Sequence, residues 1–205
     1  MHKSLALVAA LALTASAGIA AQPKAQPASP ARAAAALGAG TYQVDPNHTQ
    51  VLWSVDHFGF SRLSGMVGSM SGTLDIDPAR PNAARVAIDI PLSGLTVTAP
   101  AFGKHLATPD LFDTAKYPSA RFVSRSVKVS GTQATIAGDL TLRGVTKPLT
   151  LNARLHGAGV NPMNKKATIG FSATATLKRS DFNLGYALPA VSDEVKLDIN
   201  AAFEK

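Results

Sequence analysis

Residues 104–122 read KHLATPDLFDTAKYPSARF, and residues 136–151 read IAGDLTLRGVTKPLTL. A residue that precedes proline is pushed out of helical geometry into an extended one. Tyr117-Pro118 therefore closes any helix in the first stretch, and a strand is predicted from about Ser119. In the second stretch Ala134, Ile136, Gly138, Leu140 and Leu142 fall on one face of a period of two. After a turn over Arg143 to Pro148, the residues Leu149, Leu151, Ala153 and Leu155 do so again. This is a hairpin whose two strands each turn one apolar face inward.

The same rhythm predicts about eight strands: Gln50 to Phe58, Gly65 to Asp75, Arg85 to Ile90, Arg121 to Val129, Thr132 to Leu142, Pro148 to His156, Lys166 to Lys178 and Glu194 to Phe203. One helical insertion, around Ala99 to Thr114, interrupts them. Short turns at Ser130-Gly131 and Arg143 to Lys147 favour antiparallel neighbours, and eight antiparallel strands hide their edges by closing on themselves. The predicted fold is all-β: an eight-stranded antiparallel lipocalin-like barrel with a short helical insertion.

The chain's 205 residues allow one such domain, 41–205, with extensions. Residues 1–20, MHKSLALVAALALTASAGIA, combine an early lysine, an apolar run from Leu5 to Leu13 and small residues at Gly18 and Ala20. This reads as a cleaved secretory signal, too short to span comfortably as an anchor. Residues 21–40, rich in proline and alanine, read as a flexible leader that buries too little apolar surface to offset its ordering entropy, with at most an unanchored helical turn over Ala33 to Leu37. A periplasmic or secreted location is expected. The chain has no cysteine, which excludes thiol catalysis, thiolate metal sites and disulfide support.

Twenty basic and thirteen acidic residues give a net charge of +7, and loss of Lys3 with the signal leaves +6. The basic residues are scattered over strand ends and turns without interleaved aromatics, so nucleic acid is not an expected partner. No histidine pair has helical zinc spacing, and no nucleophile elbow is present, so neither a metal nor a catalytic constellation is predicted.

An eight-stranded barrel is wide enough either to be filled by side chains or to hold one small ligand. Its predicted inner face includes Gly138, Ala153, Ala167, Ala173, Ala175 and Ala201 among larger residues such as Ile136, Leu140, Leu151, Ile169, Phe171 and Leu197. These small residues either leave room for an apolar chain or accommodate curvature and facing aromatics. His57 continues the face of Val51, Trp53 and Val55 and is expected to point inward at a strand end. His105, beside Phe102 and Leu106 on the inserted helix, is expected near an opening, whereas His48 is a turn residue. Arg179 offers a forked, permanently charged donor that suits an anionic head group, and an ion pair with Asp181 that shapes the loop is an equal reading.

His105-Leu106, Pro109, Phe112-Asp113, Tyr117-Pro118, Phe122, Gly138, Leu140-Thr141, Arg143-Gly144-Val145-Thr146 and Lys147 together resemble the YceI-like family of periplasmic lipid-binding proteins. Tyr42, Val44-Asp45, His48-Thr49, His57, Gly59, Gly65, Arg179, Asp181-Phe182 and Val195 extend the resemblance over roughly Thr41 to Lys205. The chain departs from the family at Leu111, where an aromatic is usual, and at Asn183, where glycine is common.

The resemblance implies a binding module in which an elongated apolar tunnel holds a polyisoprenoid or similar long-chain amphiphile for carriage, storage or sensing. The candidate ligand-contacting residues are Trp53, His57, Phe102, His105, Phe112, Gly138, Phe171, Ala173, Arg179 and Phe182. No cofactor and no enzymatic activity are expected. A bound quinone, a peripheral membrane contact and a homodimer remain open. The competing readings are an enzyme acting on a lipid and an eight-stranded outer-membrane barrel.

Overall fold

The structure, a computed structural model, describes residues 29–205. The predicted signal peptide and residues 21–28 of the predicted leader lie outside the described residues. Eleven strands follow one another: β1 (Gly40–Val44), β2 (Gln50–His57), β3 (Ser61–Val67), β4 (Ser71–Ile76), β5 (Arg85–Pro91), β6 (Leu95–Thr96), β7 (Ser119–Ser130), β8 (Gln133–Leu142), β9 (Val145–Val160), β10 (Ala167–Lys178) and β11 (Glu194–Glu204). Helix α1 (Pro30–Ala36) precedes them, and α2 (Pro100–Leu106) lies between β6 and β7.

Eight strands close a barrel in the order β1-β4-β5-β7-β8-β9-β10-β11, with β11 pairing back onto β1, and every pairing is antiparallel. The β2-β3 hairpin branches from β11 over Lys196 to Asn200, and β6 pairs with β3. The strand predicted over Gly65 to Asp75 is thus split between β3 and β4. The short strands β1 and β6 carry too few alternating residues to register as a pattern. Exposed Thr150, Asn152, Arg154 and His156 occupy the outer face of β9, while Leu149, Leu151, Ala153 and Leu155 alternate with them on the inner face. Polar outside and apolar inside is the inverse of the pattern a lipid-embedded barrel requires.

The β8-β9 connection is tighter than the sequence suggests. Arg143 and Gly144 both have positive φ, 50° and 75°, which suits a two-residue hairpin turn, and β9 begins at once with Val145. A side chain at position 144 would put its Cβ 2.9 Å from the Tyr117 ring. Pro148 is accommodated inside β9 because pairing with β10 begins only at Asn152, so one side of the strand is free and a missing N–H donor is tolerated.

Apolar side chains gather in two clusters. At the α2 end, Leu92, Phe122, Leu140, Leu142, Phe182 and Leu184 pack together; at the α1 end, Tyr42, Met70, Leu74, Ile169 and Phe203 do so. The end of the predicted leader differs from expectation, because residues 30–36 form a helix and that helix is anchored. The Ser29 side chain accepts from the Arg32 amide at 3.4 Å, and Pro30 occupies the first turn, where a missing N–H costs nothing. The hydroxyl of fully buried Tyr42 donates to the carbonyls of Leu37 and Gly38, and Lys205 Nζ donates to those of Leu37 and Ala39. Composition alone hides this segment, since its anchors sit outside it.

Candidate functional site

The barrel is not filled by its own side chains. A cavity of about 730 Å³ runs from α1 to α2, whereas voids in a packed core rarely exceed the size of a water molecule. Its walls are Val51, Trp53 and Val55 from β2, Val86, Ile88 and Ile90 from β5, Ile136, Leu140, Leu151 and Leu155 from β8 and β9, and Ile169, Phe171, Ala173, Leu197 and Ile199 from β10 and β11. Many of these, Ile88, Ile90, Leu151, Phe171 and Leu197 among them, are only half-buried although they point inward, because one side of each borders the open tunnel. At one end Ala31 and Ala34 of α1 lie against the cavity with Pro78, Pro81 and Thr132. At the other end His57, Phe58, Phe102, His105 and Tyr186 surround it.

The structure brings eight of the ten sequence-predicted contact residues to this surface: Trp53, His57, Phe102, His105, Phe112, Phe171, Ala173 and Arg179. Gly138 and Phe182 are not part of it. Gly138 faces the Phe122 ring, and a Cβ there would lie 2.5 Å from Phe122 Cζ, so its smallness serves a neighbouring aromatic. Gly65 plays the same part under Trp53, at 2.3 Å from Cζ2. Phe182 is buried in the α2-end cluster. The small residues therefore divide: Gly138 accommodates an aromatic, Ala175 packs into the α2-end cluster, Ala167 packs against the α1-end cluster, and Ala153, Ala173 and Ala201 leave width in the tunnel.

Arg179 lines the cavity but makes no ion pair with Asp181. Its side chain is buried in the loop between β10 and β11, and it spends its donors on that loop's backbone. Nε donates to Ser192 O (2.8 Å), Nη1 to Leu184 O (2.5 Å) and Tyr186 O (2.8 Å), and Nη2 to Val191 O (2.8 Å). Burial lowers the guanidinium's pKa from its ordinary value, and the Asp193 charge opposes that shift. Asp181 is exposed and forms no ion pair with Arg179; the nearby acid is Asp193, whose carboxylate accepts from Ser180 N and Oγ. Asn183 takes the left-handed conformation that ends the 3-10 turn of residues 179–182 (φ 60°, ψ 26°). Asparagine tolerates that conformation better than most residues, which explains how it can replace glycine here.

A second arginine, given no role by the sequence reading, ties the same end together. Arg143 in the β8-β9 turn donates to Pro109 O and Asn183 O, joining the loop after α2 to the Arg179 loop. The signal that could have found it is its place in a left-handed turn position, where a long side chain is tolerated only for a reason.

Few polar atoms face the cavity. Among its lining residues the ionisable ones are His57, His105, Arg179 and Tyr186. His105 Nε2 stands 3.7 Å from Asp110 Oδ2, and its ring meets Tyr186 edge-on at 4.9 Å and Phe102 at 6.4 Å. His57 packs edge-on against Phe58 at 4.4 Å. Trp53 Nε1 is buried with no hydrogen-bond partner among the described residues. A buried N–H ordinarily finds an acceptor, so this indole is an exception, shielded within an apolar wall. No group of three histidine, cysteine or acidic side chains among the described residues could hold a metal ion.

Comparison with known proteins agrees with this architecture. The profile of the YceI-like domain matches residues 42–203. The YceI protein of Escherichia coli O157:H7 is 40% identical over 164 residues, covering 79% of this chain and 85% of its own length. A UPF0312 protein of Pseudomonas putida is 37% identical over 165 residues with the same coverage. Among solved structures, the YCEI protein of Campylobacter jejuni superposes with a TM-score of 0.64 at 27% identity, over 73% of this chain and 89% of its own. A polyisoprenoid binding domain from Saccharophagus degradans superposes with a TM-score of 0.60 at 15% identity, over 80% of this chain and 97% of its own.

Proposed function

The chain belongs to the YceI-like family, and on that premise we propose that its barrel is a binding module that holds one polyisoprenoid or similar long-chain amphiphile in the tunnel for carriage, storage or sensing, without turnover. The observation that carries this reading is the continuous apolar cavity of about 730 Å³, a size within the range of small-molecule sites. Burying each ligand methylene contributes about 0.8 kcal/mol, so a long chain is held by contact area and needs little polar recognition.

The polar groups present favour a neutral head. Arg179 spends four of its donors on carbonyls of its own loop, and the rest of the lining is almost wholly apolar. A prenol or a quinone suits such a lining better than a phosphorylated lipid. The polyisoprenoid named for the Saccharophagus degradans domain supports the choice of chain. Export to the periplasm, or secretion, follows from the amino-terminal signal and is part of the same proposal.

Mass spectrometry of an organic extract from gently purified protein tests the reading. A neutral isoprenoid recovered in stoichiometric amount is the expected result. Recovery of a phosphorylated lipid would overturn the neutral-head assignment, and conversion of added lipids to products would replace the carrier with an enzyme.

A further inference from the structure

The α2 end of the tunnel carries an apolar rim that the fold leaves uncovered. The turn between β2 and β3 presents Phe58 (50% exposed) and Phe60 (91%), and the loop facing it presents Tyr186 (51%) and Leu188 (36%). These two segments are tied to each other: Phe58 N donates to Ala190 O, Ser192 N donates to Asp56 O, and His57 bridges to Val191. Through the His105-Tyr186 contact the rim extends onto α2. Aromatic side chains held outward on anchored turns mark an interaction surface, because burying them against something apolar lowers the free energy.

The lining of the tunnel is continuous with this rim. Phe58 and Tyr186 belong to both, so the cavity reaches the exposed aromatics at this end. The charged residues on and beside the rim, Arg62, Lys104 and Lys116 against Asp56, Asp110, Asp113 and Asp193, come close to balancing, so the surface carries no strong charge of either sign. The α1 end also exposes apolar residues, Val160 (61%) and Met163 (92%), yet neither lines the cavity, and Lys165 and Lys166 stand beside them.

We propose that the rim of Phe58, Phe60, Tyr186 and Leu188 docks onto a lipid bilayer, so that the long-chain ligand passes between membrane and tunnel without entering water. The proposal rests on the lipid-binding reading above. It adds the surface and the partner: a membrane of zwitterionic composition, with the aromatic side chains seated at the headgroup level, where such rings partition favourably. A ligand made mostly of methylene and methyl groups crosses water slowly, since each buried group must be exposed in transit. A mouth pressed against the bilayer removes that barrier.

The test uses the full protein with phosphatidylcholine vesicles containing no isoprenoid, comparing wild type with Phe60→Ser/Leu188→Ser, and with Val160→Ser/Met163→Ser as a control at the opposite end. Neither rim position lines the tunnel. Flotation should show wild type and control associating with vesicles, and the rim variant weakened by about tenfold or more, as expected for withdrawing a side chain the size of phenylalanine. Circular dichroism and thermal melting confirm that the variants fold. A second arm follows transfer of a fluorescent polyprenol from vesicles to protein and, separately, its binding when supplied from detergent. The rim variant should transfer more slowly while its detergent-supplied binding is unchanged.

Wild type that fails to float, or a rim variant that floats and transfers like wild type, overturns the docking proposal. A dimer that Phe60→Ser dissociates, without vesicle binding, would assign the rim to a second copy of this chain and also overturn it. Failure of wild type to bind the polyprenol from detergent would instead count against the function, and the empty-vesicle arm would still decide the docking.

Discussion

The tunnel wall and the loop cage around Arg179 are built on opposite principles. The wall is a repeat of aliphatic and aromatic side chains whose individual identities matter little as long as the face stays apolar and the width is kept. The cage depends on single atoms: one guanidinium satisfies four carbonyls of a loop that has no strand partner over most of its length. Hydrophobic contact tolerates substitution of similar volume, whereas a buried carbonyl left without its donor carries the full desolvation penalty. The residues that make the chain recognisable serve both the framework and the cavity: Arg143 and Gly144 shape the α2 end, while His57, His105 and Phe112 line the tunnel.

The largest effect should follow from breaking the cage. Arg179→Ala removes four hydrogen bonds from a charged donor, and a loss of about 3 to 5 kcal/mol is expected by urea denaturation, the range for removing one member of a buried charged network. Arg179→Lys should recover little, because an ammonium cannot reach carbonyls spread around a planar fork. If Arg179→Ala instead melts like wild type and loses affinity only for anionic lipids, Arg179 contacts the head group and the cage is secondary.

Two phenylalanines sharpen the contrast inside the barrel. Phe122 is buried against Gly138 in the α2-end cluster, and Phe122→Ala should cost about 3 to 5 kcal/mol, as for other buried aromatics. Phe171 meets Phe203 edge-on at 6.1 Å but borders the tunnel on its other side. Phe171→Ala should therefore cost about 2 kcal/mol in delipidated protein, since part of the cavity it would leave already exists. Equal losses at the two positions would mean that the tunnel is packed shut at Phe171.

The α1 end offers a pH-dependent test. Glu204 is buried at the end of β11. Asn164 donates to both its carboxylate oxygens, Lys166 and Asn161 reach it as well, and together these hold its pKa below the ordinary value. A carboxylate whose folded-state pKa is depressed contributes stability above the unfolded pKa and loses it as pH falls through the folded one. The melting temperature should therefore fall on acidification below about pH 4.5, near the unperturbed glutamate value, and Glu204→Gln should flatten part of that slope. The remaining slope comes from Asp45, Asp77 and Asp193, whose pKa values are also lowered. An unchanged acid slope in Glu204→Gln would show that the pinning of residues 161–166 does not depend on the charge.

Much of the barrel was legible because β8 and β10 keep one apolar face over ten residues or more, and a period of two leaves little choice of face, although a bulge at Arg125 shifts the phase of β7. The same alternation assigns Trp53, His57, Phe171 and Ala173 to the inner surface, where the structure has them. Gly138 and Phe182 were misplaced because periodicity gives the face of a residue and not what stands opposite it. Arg179 is ambiguous in sequence for a related reason. A charged side chain near a presumed mouth has the same sequence whether it meets a ligand or turns back on carbonyls contributed by residues 184–192, and only the folded loop decides. Helix α1 escaped because what holds the segment lies elsewhere in the chain: Tyr42 and Lys205 bind carbonyls just after the helix, and its Ala34 is buried against the barrel.

The smallest expected change in stability belongs to the substitution that would be most disruptive in a filled core. Enlarging Ala173 to phenylalanine normally costs about 1 to 3 kcal/mol where side chains are close-packed, because neighbours are forced off their rotamers. Ala173 is buried in the wall of β10, paired with Ala153 and Ile199 on the adjoining strands, and its methyl borders the open tunnel. A phenyl ring there has space to enter and apolar surface to cover. Delipidated Ala173→Phe should thus unfold within about 0.5 kcal/mol of wild type, or above it, as for a substitution that strains nothing. The ring would nevertheless take the volume that a long chain needs, so binding of a fluorescent long-chain amphiphile should fall sharply. Unfolding of the variant would place a full core at the middle of β10. Retained stability with undiminished binding would send the ligand past the other wall, along β5 and β7.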